Sequence, residues 1–333
     1  MKIPNDHKRK SHKSKISRKN KSYRLKSFDV LFMATMSAGK TSFVNALIGS
    51  ELLHTANEAT TACLTSVAHC RGRRRFGAIC FSHNDESLLS EAPASAATLR
   101  TWNLMPEVYR IELQGGFKSQ PHPIPGLVLH DPPGPNNSQD ERHAQLMLAA
   151  IHRIRYHAVC YVLNVSQLGT QDERVLLERL HQEFSSSGVP IYFILNKVDL
   201  LDPEHGESIA ACIEKTKQYL FNIGFEKPII VPAMASIALY AQLALLEEPL
   251  TRGQRLRLQQ ALNSLEYYLD YLVQASEIPD IIKSDLLRAM ARIGRTQGDA
   301  LEQSVQDRRR LQQLQLISGV KTVQALIKKQ FQP

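Results

Sequence analysis

The sequence predicts an α/β fold, a mostly parallel sheet covered by helices on both faces, followed by a helical segment. Three observations predict it. Short apolar runs of strand length alternate with segments of helical period from residue 28 to about 248. Loops rich in Gly, Thr, Asp and Asn follow the C-terminal ends of those runs, where open parallel sheets place their ligands. Beyond residue 250 the strand-like runs stop and a charge-rich helical pattern begins. The expected organisation is a basic arm over 1–26, an α/β domain over 27–250 and a helical segment over 251–333.

The arm carries the charge. Eleven Lys/Arg and one acid, Asp6, lie between Met1 and Lys26; removing them from totals of 41 and 32 leaves 30 basic against 31 acidic residues. With few apolar residues, the arm is expected to be disordered in isolation. Its composition suits nucleic acid, anionic lipid or a solubilising tail, and does not separate them. Five cysteines without a C-x-x-C pair, and histidines without metal spacing, argue against a zinc or disulfide framework and for a reducing compartment. There is no apolar run long enough to span a bilayer and no secretory h-region, so a cytoplasmic protein is expected, peripheral at membrane or nucleoid if its arm binds there.

The first strand, Val30 to Met33, leads into Ala34-Thr35-Met36-Ser37-Ala38-Gly39-Lys40-Thr41-Ser42 and a helix marked by Phe43, Val44, Ala46, Leu47 and Ile48. Strand, tight loop, Gly-Lys-Thr and helix make a triphosphate cradle. Loop N–H groups from Thr35 to Ser42 face the phosphates, Lys40 brings a positive charge to the β- and γ-phosphates, and the Thr41 hydroxyl can ligate Mg²⁺. Ala34 stands where the phosphate-loop pattern has its first Gly, making the loop a variant. Gly49 ends the helix. The polar stretch to Ala62 includes Thr60-Thr61, placed where a switch loop would reach the γ-phosphate and Mg²⁺. Strands are expected at 64–68, 76–82 and 108–113, with a helix at 94–104 whose Trp102 packs in the core.

The next apolar strand ends in Asp131-Pro132-Pro133-Gly134. Asp131 can hold a Mg²⁺-bound water, and Gly134 can bring its N–H to a γ-phosphate. A helix is expected over 139–155, a strand over 158–165, and a helix over 172–184. Strand Pro190 to Leu195 then runs into Asn196-Lys197-Val198-Asp199. A carboxylate there accepts two hydrogen bonds from guanine, which adenine lacks the donors to make. Asn196 can tie this loop to the phosphate loop, and the Lys197 stem can pack on the base. A helix over 206–221 and a strand over 228–232 lead to Met234-Ala235, where the Ala235 N–H can meet the base, and to a helix over 235–248. In the last segment, Leu258, Leu262, Leu265, Leu269 and Leu272 form a coiled-coil-like seam that packs either on other helices or on the sheet domain. Pro279 breaks it, and helices are expected over 281–297 and 299–329.

These motifs resemble the dynamin superfamily, bacterial dynamin-like GTPases most of all, over about residues 27–245. The resemblance rests on Met33 to Thr41, Asn57 to Ala62, Asp131 to Ser138 and Leu195 to Asp199. It implies a P-loop GTPase domain that binds GTP or GDP with Mg²⁺ and hydrolyses GTP faster when two copies pair through their nucleotide faces. It implies that Thr61 positions Mg²⁺ and the attacking water with Thr41 and Asp131. It also implies that Ser37 organises a monovalent cation and the γ-phosphate, and that the loop Gln167 to Glu173 reaches across the dimer. Met36 stands where animal dynamins carry Gln, so a hydrolysis-poor binding module is the alternative. Fewer than 90 residues follow position 245, too few for the family's long stalk and membrane paddle; a minimal form, a fragment or half of a two-protein system is expected. Gln313 to Ile317 and Gln242 to Leu246 loosely resemble the replication-clamp peptide of some relatives.

Overall fold

The computed structural model describes residues 27–54, 63–119, 124–133, 151–152, 154–295 and 303–331. Nine strands among them form one sheet: β1 Phe28–Ala34, β2 Leu64–His69, β3 Gly77–Phe81, β4 Ser87–Glu91, β5 Arg110–Gly115, β6 Leu127–Asp131, β7 Ala158–Asn164, β8 Ile191–Asn196 and β9 Ile229–Ala233. Their order is β4-β3-β5-β2-β6-β1-β7-β8-β9. From β6 to β9 every pairing is parallel. β2 joins β6 antiparallel, β5 runs parallel to β2, and β3 and β4 close the edge antiparallel. The central strands β1 and β7 are buried along their whole length, as expected for strands covered on both faces.

The parallel register sorts side chains by face. Phe32, Cys160 and Tyr192 are paired neighbours on one face; Met33, Tyr161 and Phe193 are neighbours on the other. The first face meets helix α1 (Lys40–Ile48), whose Phe43 ring lies 6.2 Å from Phe32. The second meets helices α3 (Gln171–Phe184) and α4 (Ile209–Ile223), with Phe225 beyond α4 lying edge-on to Phe193. Helix α2 (Ala96–Asn103) buries Trp102, as the sequence suggests. Three of these helices start at a hydroxyl cap: Ser95, Thr170 and Ser208 each accept the N–H three residues on. The Ser208 cap is why α4 begins at Ile209 rather than at Gly206; the intervening Pro203–His205 forms a separate 3-10 turn.

Further assignments differ from expectation; among them, the stretch carrying the leucine seam is two helices, Arg252–Asn263 and Leu265–Ala275, meeting at Ser264. Ser87–Glu91 lacks alternation, so the sequence gives no strand signal there, yet it pairs with β3 as an exposed edge. Its strand character comes from its partner. The helix expected over 299–329 is two helices, α9 (Gln303–Ile317) and α10 (Val320–Phe331), broken at Gly319. Gly319 has φ +83°, and a Cβ there would lie 2.4 Å from the Pro232 carbonyl. The chain turns sharply against the end of β9, and only Gly fits.

The remaining helices are α5 (Ala235–Leu245), α6 (Arg252–Asn263), α7 (Leu265–Ala275) and α8 (Asp280–Arg295). They make both kinds of contact that the leucine seam leaves open. α7 packs on α4 of the sheet domain and on α9, with Leu258, Leu265 and Leu272 buried and Leu262 and Leu269 partly so. α9 packs on α5, and α10 lies against α1 and β9. Leu314, Ile317, Val323 and Leu326 are buried in one continuous core with β1 and β8. Polar ties reinforce this seating. Met234 N–H donates to the Ser318 carbonyl at 3.0 Å, and Gln315 bonds Gln242. Lys321 donates to the Ser119 carbonyl, and burial pushes its pKa down to about 8. The two clamp-like segments therefore pack against each other, and neither is a free peptide. Among the described residues no helix is long and apolar enough to cross a membrane.

This shared core has a measurable consequence. Leu314→Ala, at a site with no exposed surface, is expected to cost about 2–5 kcal/mol. Because α9 and the sheet share one core, chemical denaturation followed by far-UV circular dichroism and by tyrosine fluorescence should show a single, shifted transition.

Candidate nucleotide-binding site

The loop after β1 is built by three local constraints. Ala34 is the last residue of β1, buried and paired with Val162. It keeps ordinary strand geometry, so the position does not call for the freedom of Gly. Ser37 and Gly39 take left-handed backbone angles, φ 60° and 88°. At Gly39 a Cβ would sit 2.3 Å from the Asn196 side-chain nitrogen. Gly39 is thus required by both conformation and space. The following helix α1 has no side-chain cap, leaving first-turn N–H groups directed at the loop. A helix start with unsatisfied donors is a ready anion site.

Asn196, at the end of β8 and buried, joins the phosphate loop to the loop after β9. Its side-chain NH₂ donates to the Ala38 carbonyl at 2.9 Å, and its carbonyl accepts the Ala235 N–H at 3.1 Å. This is the tie expected of Asn196, and it places Ala38 and Ala235 on either side of one side chain. Lys197 follows with φ 67°, turning the chain so that Asp199 enters a short 3-10 helix. Burial raises the Asp199 pKa above the usual carboxylate value, with Arg257 and Lys197 partly offsetting it. Burial likewise lowers the Lys197 pKa, against the attraction of Asp199. Arg257, on α6, has no signal in the sequence as a neighbour of this loop; only the folding back of the helical segment brings its charge there.

On the other side of the loop, Lys40 and Asp131 form a buried ion pair, and Lys40 also donates to the Pro132 carbonyl. The Thr41 hydroxyl donates to the second Asp131 oxygen at 3.0 Å. Lys40, Thr41 and Asp131 thus converge on one point at the end of β1 and β6. A hydroxyl and a carboxylate oxygen this close suit a hard divalent cation completed by phosphate and water, the usual Mg²⁺ arrangement. No cluster of three or more His, Cys, Asp or Glu suited to a metal occurs among the described residues. Met36 and Ser37 are exposed at the loop tip, and Thr35 and Ser42 are half-buried. Thr61 and Gly134 lie outside the described residues.

The loop after β7 is also built. Asn164 accepts the Ser166 N–H at 3.1 Å and donates to the Gln167 side chain at 3.0 Å. Glu173, fully buried at the start of α3, accepts the Gly169 N–H at 2.9 Å. Its pKa is raised by burial, against the hydrogen bond from Gly169. Since Asn164 pairs with Asn196 across β7 and β8, this loop stands beside the base loop.

The sequence signature of the Dynamin family matches residues 30–198, just over half of the chain. The chain belongs to the dynamin family. The match spans the phosphate loop, Asp131 and Asn196-Lys197, so this region is a dynamin-family GTPase domain with an α/β P-loop GTPase fold. A bacterial dynamin-like protein from Nostoc punctiforme is 27% identical over 216 residues, covering 59% of this chain and 29% of its own. The chain therefore spans under a third of that relative's length. Among solved structures, an oligomerised bacterial dynamin pair, described as a mechanism for long range sensing and tethering of membranes, aligns with TM-score 0.49. It is 16% identical and covers 81% of this chain and 42% of its own. Era from Aquifex aeolicus, bound to GDP.AlF4-, aligns with TM-score 0.34 at 14% identity, over 62% of this chain and 50% of its own.

Two outcomes follow from this geometry. Asn196→Ala removes both ties and leaves the Ala235 N–H and Ala38 carbonyl unpaired, so it should cost about 1–3 kcal/mol in thermal or chemical denaturation. Asp199 has a pH signature. A raised folded-state pKa means that the ionised form costs the apo protein stability at neutral pH, and this cost is relieved as pH falls through that value. A carboxylate accepting from guanine must be ionised, so guanine-nucleotide affinity should fall over the same acidic range. Titration by calorimetry across pH should show this slope, and Asp199→Asn should flatten it.

Proposed function

We propose that this chain binds GTP with Mg²⁺ and hydrolyses it by in-line attack of water on the γ-phosphate. The observation that carries the reading is the Asn196 bridge, which holds a phosphate cradle and a guanine-type loop at one site. The first-turn N–H groups of α1 and the Lys40 ammonium would hold the phosphates, and Asp199 with the Ala235 N–H would select guanine. Thr41 and Asp131 would hold the Mg²⁺, which neutralises charge on the β- and γ-oxygens. Taking up phosphate draws Lys40 off Asp131. Ser37, exposed at the tip, would face the γ-phosphate and a charge-compensating monovalent cation. Thr61 and Gly134 are assigned to the attacking water and the γ-phosphate on sequence resemblance. No covalent intermediate is involved; stabilisation is electrostatic.

Activity is expected to rise when two copies pair through their nucleotide faces. The loop at Gln167 to Glu173 supports this, being pinned by Asn164 at one end and Glu173 at the other. A hydrolysis-poor GTP-binding scaffold, serving a larger partner, is the second reading. It is favoured by Met36, whose exposed apolar side chain offers no hydrogen bond to a water at the loop tip.

GTP turnover per molecule measured against protein concentration separates the two. The GTPase reading expects cooperative acceleration, and at least roughly a hundredfold loss in Lys40→Ala. Tight GTP binding with flat, negligible turnover at all concentrations would establish the scaffold. Equal binding of ATP would remove both.

A further inference from the structure

Three adjacent strands bring a serine, a histidine and an aspartate into one hydrogen-bonded row. Ser66 of β2 is paired with His130 of β6, and His130 with Leu31 of β1. Side chains two positions apart share a face, so Asp29 stands on the face of Leu31 and Met33, away from α1. The His130 imidazole meets Asp29 Oδ1 through Nε2 at 2.9 Å and Ser66 Oγ through Nδ1 at 3.0 Å. The row is fixed from outside as well. The Ser27 hydroxyl donates to Asp29 Oδ2 at 2.6 Å, the Asp29 N–H donates to His157 Nδ1 at 3.0 Å, and the His130 ring rests edge-on against Tyr156. Asp131, next along β6, points to the other face and Lys40, so the row is separate from the nucleotide site.

The bonding fixes where the protons lie. Burial opposes ionisation of Asp29, but hydrogen bonds from His130 and Ser27 outweigh it and hold the carboxyl below its usual pKa. An ionised carboxylate only accepts, so the neutral imidazole carries its proton on Nε2 and leaves the Nδ1 lone pair free. The Ser66 hydroxyl then donates to Nδ1. A hydroxyl aimed at a base, with the base oriented by a carboxylate, is the arrangement that activates a nucleophile. Ser66 is only half-buried, so its oxygen is within reach of a ligand. The row lines a cleft of about 820 Å³, a size that suits a small molecule. Leu64, Val128 and Ile154 give the cleft an apolar wall, and Arg155 reaches it exposed and without an ion pair among the described residues.

We propose that this cleft is a second active site, of esterase type, in which Ser66 is the nucleophile and His130 the general base toward small carboxylic esters. Ser66 Oγ bonds to the ester carbonyl carbon as its proton passes to His130 Nδ1. The tetrahedral intermediate collapses, the bond to the leaving oxygen breaks, and the alcohol departs with the proton from His130. Water then attacks the acyl carbon and gives a proton to His130, which returns it to Ser66 Oγ as the acyl–oxygen bond breaks. The net reaction is ester plus water to carboxylic acid plus alcohol, with no redox change. The Arg155 guanidinium is the cation in the cleft that can answer the charge developing on the carbonyl oxygen. The apolar wall suits an acyl chain, and the carboxylates of Asp29 and Glu112 in the same cleft repel a dianionic phosphate ester. An ester is favoured over an amide because an alcohol leaves with less help than an amine. The inference does not rest on nucleotide binding or GTP hydrolysis.

Two measurements on the full chain test it. A fluorophosphonate probe, which phosphonylates activated serines, should label the parent protein at Ser66, located by peptide mass spectrometry. The protein should also turn over p-nitrophenyl acetate, butyrate or octanoate. Ser66→Ala and His130→Gln should each lower that turnover by at least about a hundredfold, while Ser66→Ala keeps guanine-nucleotide binding. Asp29→Asn keeps the shape of the side chain but lets Nδ1 carry the proton, so it should lower kcat by about a thousandfold with KM unchanged. The proposal is overturned if the parent is not labelled at Ser66, a result that needs no variant to fold. It is equally overturned if none of the three esters is turned over, or if turnover persists undiminished in Ser66→Ala. An unchanged kcat in Asp29→Asn removes Asp29 as the residue that positions His130.

Discussion

One side chain couples the two halves of the nucleotide site. Asn196 spends its donor on the Ala38 carbonyl and its acceptor on the Ala235 N–H, so three loops from three strands share one amide. The approach is so close that no side chain fits at Gly39. Because the amide is buried, leaving either half unpaired is costly, and the loops are held in register before any ligand arrives. Preorganisation of this kind spares a ligand the cost of ordering the loops.

The same economy of contact governs the helical segment. Gly319 turns the chain against Pro232, and the Ser318 carbonyl accepts the Met234 N–H just before Ala235. The C-terminal helices are therefore part of the wall behind the base loop. α6 brings the Arg257 charge to Asp199, so the ionisation of that carboxylate depends partly on a residue more than fifty positions downstream. Movement of those helices would alter the site through packing and charge together.

Much of the site was legible in the sequence because its chemistry is local. A strand, a small-residue loop and Gly39-Lys40-Thr41 occupy one continuous stretch, and Asp131 and Asn196 each close an apolar strand. Ser37 and Gly39 take the positive φ values a tight loop demands. Other features had no local signal. β4 is a strand through pairing with β3. The break at Gly319 has a positive φ and sits against the Pro232 carbonyl, a contact that no local pattern announces. The heptad-like leucines mark a buried face and carry no information about what lies across it.

By itself the sequence determined most of the succession of strands and helices, β4 and the break at Gly319 apart, the Gly39-Lys40-Thr41 loop after β1, the Asn196-Lys197-Val198-Asp199 loop after β8 and the concentration of basic charge before residue 27. Each follows from short-range rules: side-chain periodicity, backbone freedom and the donors or acceptors of single residues. Tertiary structure alone decided that the described C-terminal helices share the core of the sheet, that Lys40 rests on Asp131, and that Gly319 seats against the end of β9. These depend on strand register and on contacts between residues far apart in the chain, where many partners satisfy the same apolar pattern. Only the packing of the whole chain selects among them.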